Sequence, residues 1–149
     1  MLSRTLSERE WPKEPGSYVL LLQVVSPLTF EAGRLGMITL PAGRYAYVGT
    51  ARATGGLRVR LARHVRSQKR LYWHIDYLVQ RAPIWGVYWQ VTPIPLECRW
   101  AQALLRLPGA SAPVRGFGSS DCRRGCPAHL VRLPDGISAE EVEEALGGD

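Results

Sequence analysis

Acidic residues are missing from the middle of this 149-residue chain: none lies between Glu31 and Asp76, a window that holds Arg34, Arg44, Arg52, Arg58, Arg60, Arg63, Arg66, Lys69 and Arg70. Lysine is scarce as well, since only Lys13 and Lys69 among the 19 basic residues are not arginine. Cysteine is rare and odd in number, at three, which argues against a disulfide framework and for a reducing compartment. No apolar run opens the chain, because Arg4, Glu8, Arg9 and Glu10 break up Met1–Trp11. The longest apolar stretch, Tyr18–Val25, is interrupted by Gln23 and is far too short to cross a bilayer. These absences together predict a cytoplasmic protein with no membrane partner. Internal repeats and low-complexity segments are also absent from the sequence.

What is present suits one domain. At 46% hydrophobic the chain can build a single core and is too short for two ordinary ones. The net charge of +6 conceals an asymmetry: every basic residue lies at or before Arg132, and Asp135, Glu140, Glu141, Glu143, Glu144 and Asp149 follow it. Arginine's planar fork meets phosphate oxygens two at a time, so the acid-free window reads as a polyanion-facing surface. Arg52, Arg58, Arg63, Arg66, Lys69 and Arg70 are the candidate contacts to DNA or RNA. The acidic tail could compete for that groove when it is empty.

Residues 1–15 read as a polar leader closed by Pro12 and Pro15. Gly16–Val25, rich in β-formers, suits a strand buried on both faces. Leu28–Glu31, Gly36–Leu40 and Arg44–Val48 continue an antiparallel meander of three or four strands. After the glycine-rich loop Gly49–Gly56, Leu57, Leu61 and Val65 form one stripe of a helix reaching Gln68, with Arg60 and His64 together at its border. A second helix is predicted over Arg70–Arg81, a strand over Ile84–Val91, a third helix over Leu96–Leu107 and a last strand over His129–Leu133. Ser138 and Glu141 make a capping box for a final helix. The fold class is therefore α+β, a small mixed or antiparallel sheet of three to five strands flanked by helices.

Two constellations carry chemistry. Cys122, Cys126 and His129, with Cys98 from the third helix, have the donor types of a structural zinc site. The other runs through the tripeptides Gly16-Ser17-Tyr18 and Tyr47-Val48-Gly49, Arg60-Leu61 in the first helix, and Glu97. In that order they resemble the GIY-YIG nuclease superfamily. The likeness is closest to a small group within it, found alone or fused to endonuclease-III-like glycosylases, through Tyr45–Ala51, Trp73–Leu78, Glu97-Cys98 and Gly116–Cys122. The resemblance covers Gly16–Leu133, leaving residues 134–149 as an acidic helix and tail. Tyr18 and Tyr47 stand further apart than is usual in the superfamily, which implies extra strand-turn material between them.

The resemblance implies hydrolysis of DNA phosphodiesters with one Mg²⁺ or Mn²⁺ ion, in DNA repair or mobile-element processing. Glu97 would anchor the ion, Arg60 would stabilise charge on the phosphoryl oxygens, and Tyr18 or Tyr47 would take the proton of the attacking water. His64 and His74 are candidates to assist. Plainer structural readings stand beside these: both tyrosines as core aromatics, Glu97 as a carboxylate favoured in a first helical turn, and Asp76 as the partner of Arg60 or Arg63. A non-catalytic nucleic-acid-binding module of the same fold is the competing function, and a metal or redox sensor built on the cysteines a third.

Overall fold

The structure, a computed structural model, describes residues 1–66, 69–71, 73–118, 126 and 128–147. Seven strands and four α-helices are formed among them: β1 Leu2–Ser3, β2 Gly16–Val24, β3 Leu28–Glu31, β4 Met37–Leu40, β5 Gly43–Ala51, α1 Gly56–Val65, α2 His74–Val79, β6 Ile84–Val91, α3 Glu97–Leu105, β7 Leu130–Arg132 and α4 Ala139–Gly147. Five strands make one antiparallel sheet in the order β1-β6-β2-β5-β7. This is the α+β architecture that the sequence pattern predicts.

The central strand β2 has neighbours on both sides and helices on both faces, which is why its sequence is almost continuously apolar. Its side chains still sort by parity. Tyr18, Leu20, Leu22 and Val24 join Tyr45 and Tyr47 of β5 under α1 and α2, while Val19 and Leu21 join Ala46 and Val48 under α3 and α4. The long path from Tyr18 to Tyr47 holds the predicted extra material. It is not a continuation of the main sheet: β3 and β4 pair only with each other, as a separate two-stranded ladder.

The first fifteen residues are no free leader. β1 adds an edge strand against β6, and Trp11 is fully buried. The carbonyls of Glu14 and Pro12 accept the backbone N–H groups of Leu57 and Arg58 at 2.9 and 2.8 Å, supplying the partners that the first turn of a helix lacks. Gly55 and Gly56 make the approach possible. Both have positive φ, 93° and 57°, and a Cβ on Gly56 would lie 2.2 Å from the Glu14 carbonyl oxygen.

The acidic C-terminus is likewise docked. Ser138 and Glu141 form the predicted reciprocal capping box, each bond 3.1 Å, and Val142 and Leu146 of α4 pack in the core with Trp100 and Leu104 of α3. Glu140 pairs with Arg4 of the N-terminal segment. The helix thus lies on the sheet face away from α1, so competition of residues 139–147 for the α1 groove does not fit this packing. Among the described residues no helix is long and apolar enough to cross a membrane.

Three helices are shorter than the sequence predicts, α3 by its first residue and its last two, and α1 and α2 for identifiable reasons. α1 stops at Val65 because Arg66 turns extended, and the Lys69 ammonium bonds the carbonyls of Arg63, His64 and Arg66 at the helix end. α2 begins only at His74, where the Asp76 carboxylate accepts the Trp73 backbone N–H at 2.8 Å.

Candidate functional site

Tyr18, Tyr47, Arg60 and Glu97, scattered along the chain, line one cavity of about 300 Å³ together with Gly49, Thr50, Trp73, Gly118 and His129. Strands β2 and β5 run side by side with Tyr18 opposite Gly49, so each tyrosine reaches the same end of the sheet. The match of Tyr18 to glycine is steric: a Cβ on Gly49 would sit 2.5 Å from the Tyr18 hydroxyl oxygen. Arg60 enters from α1, donating to the Thr50 carbonyl at 3.0 Å and lying 4.5 Å from the Trp73 ring centroid. Glu97 is the first residue of α3, and the α3 entry is tied to β2 by the buried Ser17 hydroxyl, which accepts the Leu96 N–H at 3.0 Å.

Below the cavity floor, the Tyr18 hydroxyl and His64 Nε2 are 2.7 Å apart, and the histidine is fully buried. Burial pushes the Tyr18 phenol up to about 12, outweighing the downward pull of the Arg60 charge. Tyr47 is raised as well, again mainly by burial. Both phenols are therefore protonated at neutral pH, and Arg60 alone does not activate either. The same burial drives His64 down to about 3, helped by the charges of Arg60, Lys69 and Arg63 and opposed by Asp76.

The depressed histidine has a consequence for stability. Unfolded, His64 binds a proton below its usual 6.5, whereas folded it stays neutral until about 3; stability therefore falls as pH drops through that window and is unaffected above it. Melting temperature measured from pH 7 to pH 4 is expected to fall more steeply for the wild type than for His64→Asn. Parallel profiles would show that His64 does not refuse its proton.

Other predicted site residues are placed differently. The cavity lining does not include His74; its Nδ1 accepts the Gly118 N–H at 2.9 Å, which holds the Gly116–Gly118 loop beside Tyr47. Of the six predicted nucleic-acid contacts, three are engaged within the fold. Arg58 donates to the Trp11 carbonyl at 2.7 Å, Arg63 grips Asp76 through two nitrogens at 2.8 and 2.9 Å, and Lys69 caps α1. Arg52, Arg66 and Arg70 are exposed. A larger cavity of about 550 Å³, with Arg66, Lys69 and Arg81 on its wall, has no carboxylate, hydroxyl, thiol or imidazole in its lining.

Three of the four predicted zinc ligands converge. The ligand atoms of Cys98, Cys126 and His129 lie within 4.8 Å of one another, all three residues are buried, and together they could hold a metal ion. Cys122 lies outside the described residues. Sequence reasoning missed Ser17, Thr50 and Trp73, although Ser17 sits inside the first tripeptide, Thr50 directly follows the second and Trp73 opens the Trp73–Leu78 stretch.

A protein-family model described as a domain of unknown function, DUF123, matches residues 17–147. The chain belongs to the DUF123 family. The match starts at Ser17, inside the first tripeptide, and runs through α4, so the cavity, the Cys/His cluster and the acidic helix all fall within the DUF123 domain. No curated protein and no solved structure matches it.

Proposed function

We propose that this DUF123 domain is a metal-dependent endonuclease of the GIY-YIG type, acting on DNA phosphodiesters. The observation that carries the reading is the meeting of one guanidinium, one carboxylate and two phenols around a single polar cavity, from positions that only the fold brings together. Exposed Arg52, Arg66 and Arg70 add cationic surface of the kind a polyanion meets.

The residues fit one hard divalent ion. Mg²⁺ keeps several waters and is commonly held by one or two carboxylates plus substrate phosphate, and the half-buried Glu97 faces a cavity with room for a hydrated ion. Bound there, Mg²⁺ or Mn²⁺ would neutralise charge on the scissile phosphate and the leaving oxygen. The Cys/His cluster beside it has thiolate donors, which suit a soft ion such as Zn²⁺ in a structural role and not Mg²⁺.

Within the chain, Arg60 binds the phosphoryl oxygens, its fork oriented by the Thr50 carbonyl and the Trp73 ring. Tyr18 accepts the proton of the attacking water while passing its own to His64 Nε2. Among the described residues Tyr47 has no such partner, and it lines the wall against Phe117 and His64.

The test is conversion of supercoiled plasmid and branched DNA to nicked products by purified protein with Mg²⁺ or Mn²⁺. Nicking is expected with either ion and none with chelator. Salt-sensitive binding with no nicking under any ion would overturn the enzyme reading and leave the nucleic-acid-binding module in its place.

A further inference from the structure

We propose that Cys98, Cys126 and His129 form a resident site for a soft divalent cation of the zinc class, which clamps the first turn of α3 to the cavity wall. The site stands independently of the nuclease reading. Its ligands come from three separate segments: α3, the chain at Cys126, and the residue preceding β7.

The geometry is close to that of an occupied site. A tetrahedral ion with Zn–S near 2.3 Å and Zn–N near 2.0 Å sets its sulfur and nitrogen ligands roughly 3.6 Å apart. The Cys98 Sγ and His129 Nε2 atoms stand 3.7 Å apart, and all three ligand atoms fall within 4.8 Å. The histidine is also held in place. Its main chain donates to the Phe117 carbonyl at 2.8 Å and accepts from the Val48 N–H at 2.9 Å, which fixes the residue between the Gly116–Gly118 loop and β5.

Charge favours the same conclusion. Two thiolates and a neutral imidazole around a dication sum to zero, so the whole assembly can be buried without an unpaired charge. Soft sulfur ligands also select zinc-class ions over the Mg²⁺ that an oxygen donor such as Glu97 takes. Two chemically distinct metal sites can thus sit side by side, with Glu97 and Cys98 adjacent in sequence and serving one each.

The experiment uses the full chain purified under reducing conditions without chelator. Elemental analysis is expected to find about one zinc per chain. Titration of the metal-depleted wild type with Co²⁺ should produce a thiolate-to-cobalt charge-transfer band and the intense visible bands of a tetrahedral ion, and Zn²⁺ should bleach both. Cys98→Ser and Cys126→Ser are each expected to lose the charge-transfer intensity, while Glu97→Gln keeps it. Because the serine variants can fail through misfolding, the wild-type cobalt spectrum decides. Absence of the band in folded wild type, or a mass lower by two hydrogens that signals a Cys98–Cys126 disulfide, would overturn the proposal. Absence of nicking by the zinc-loaded wild type would count against the nuclease reading alone.

Discussion

Glu97→Ala is expected to lower the nicking rate about 100- to 1,000-fold, and Arg60→Ala by a similar factor, which is the scale at which removing one preorganised electrostatic group acts on a reaction. Neither change should unfold the protein. Glu97 is half-buried in the first turn of α3, where a carboxylate contributes roughly 0.3–1 kcal/mol to the helix and little else. Arg60 gives up one bond to the Thr50 carbonyl and its place over Trp73, both at a partly exposed position. Melting temperatures of the two variants should therefore stay close to the wild type while turnover collapses. Arg60→Lys is expected to restore little, because a point-charge ammonium cannot bridge two phosphoryl oxygens and does not stack on the indole in the same way. Nicking by Glu97→Ala at the wild-type rate would remove the cavity from consideration as the seat of the activity.

The parts of the fold that sequence makes legible are those whose neighbours are local or obligatory. β2, β5 and β6 announce themselves because a strand in the middle of a covered sheet must be apolar on both faces. The capping box of α4 is four residues long and needs nothing from elsewhere. What stayed hidden depends on distant backbone. Nothing in the composition of residues 1–15 reveals that two of their carbonyls cap α1, or that Trp11 is interior. Arg58, Arg63 and Lys69 look like solvent-facing cations by pattern, and their actual partners are backbone carbonyls and a carboxylate that only the folded chain supplies.

The candidate site divides in the same way. Tyr18, Tyr47, Arg60 and Glu97 were picked out through the resemblance of their motifs to the GIY-YIG superfamily, and the fold gathers them around one cavity. The groups that orient them were not: Ser17 holds the entry of α3, Thr50 holds Arg60, and Gly49 leaves the space that the Tyr18 hydroxyl fills. Each was visible only as a motif neighbour with no role. His74 is the opposite case, a histidine in a matching motif that stands outside the cavity lining and whose Nδ1 accepts the Gly118 backbone N–H.

Asp76→Ala is expected to be the most damaging single change to stability outside the apolar core. The carboxylate is fully buried and accepts three hydrogen bonds, two from Arg63 at 2.8 and 2.9 Å and one from the Trp73 N–H at 2.8 Å. Removing one member of a buried pair typically costs about 3–5 kcal/mol, because its partner charge is left uncompensated. Here the lower end applies, since the Arg63 side chain is 21% exposed and can turn toward water. For a chain of this size such a loss lowers the melting temperature by on the order of 10 °C. The effect should also travel. The Arg63 guanidinium lies 4.2 Å from the centroid of the Trp73 ring against which Arg60 is placed, so Asp76, Trp73 and the candidate phosphate-binding arginine form one stack. Asp76→Asn, which keeps an acceptor of the same shape, should recover part of the stability. The double variant Asp76→Ala/Arg63→Ala should cost less than the sum of its two singles, since it leaves no orphaned guanidinium. Additive losses would mean that the two residues do not act as a pair, and that the order of the cavity rim around Trp73 has another source.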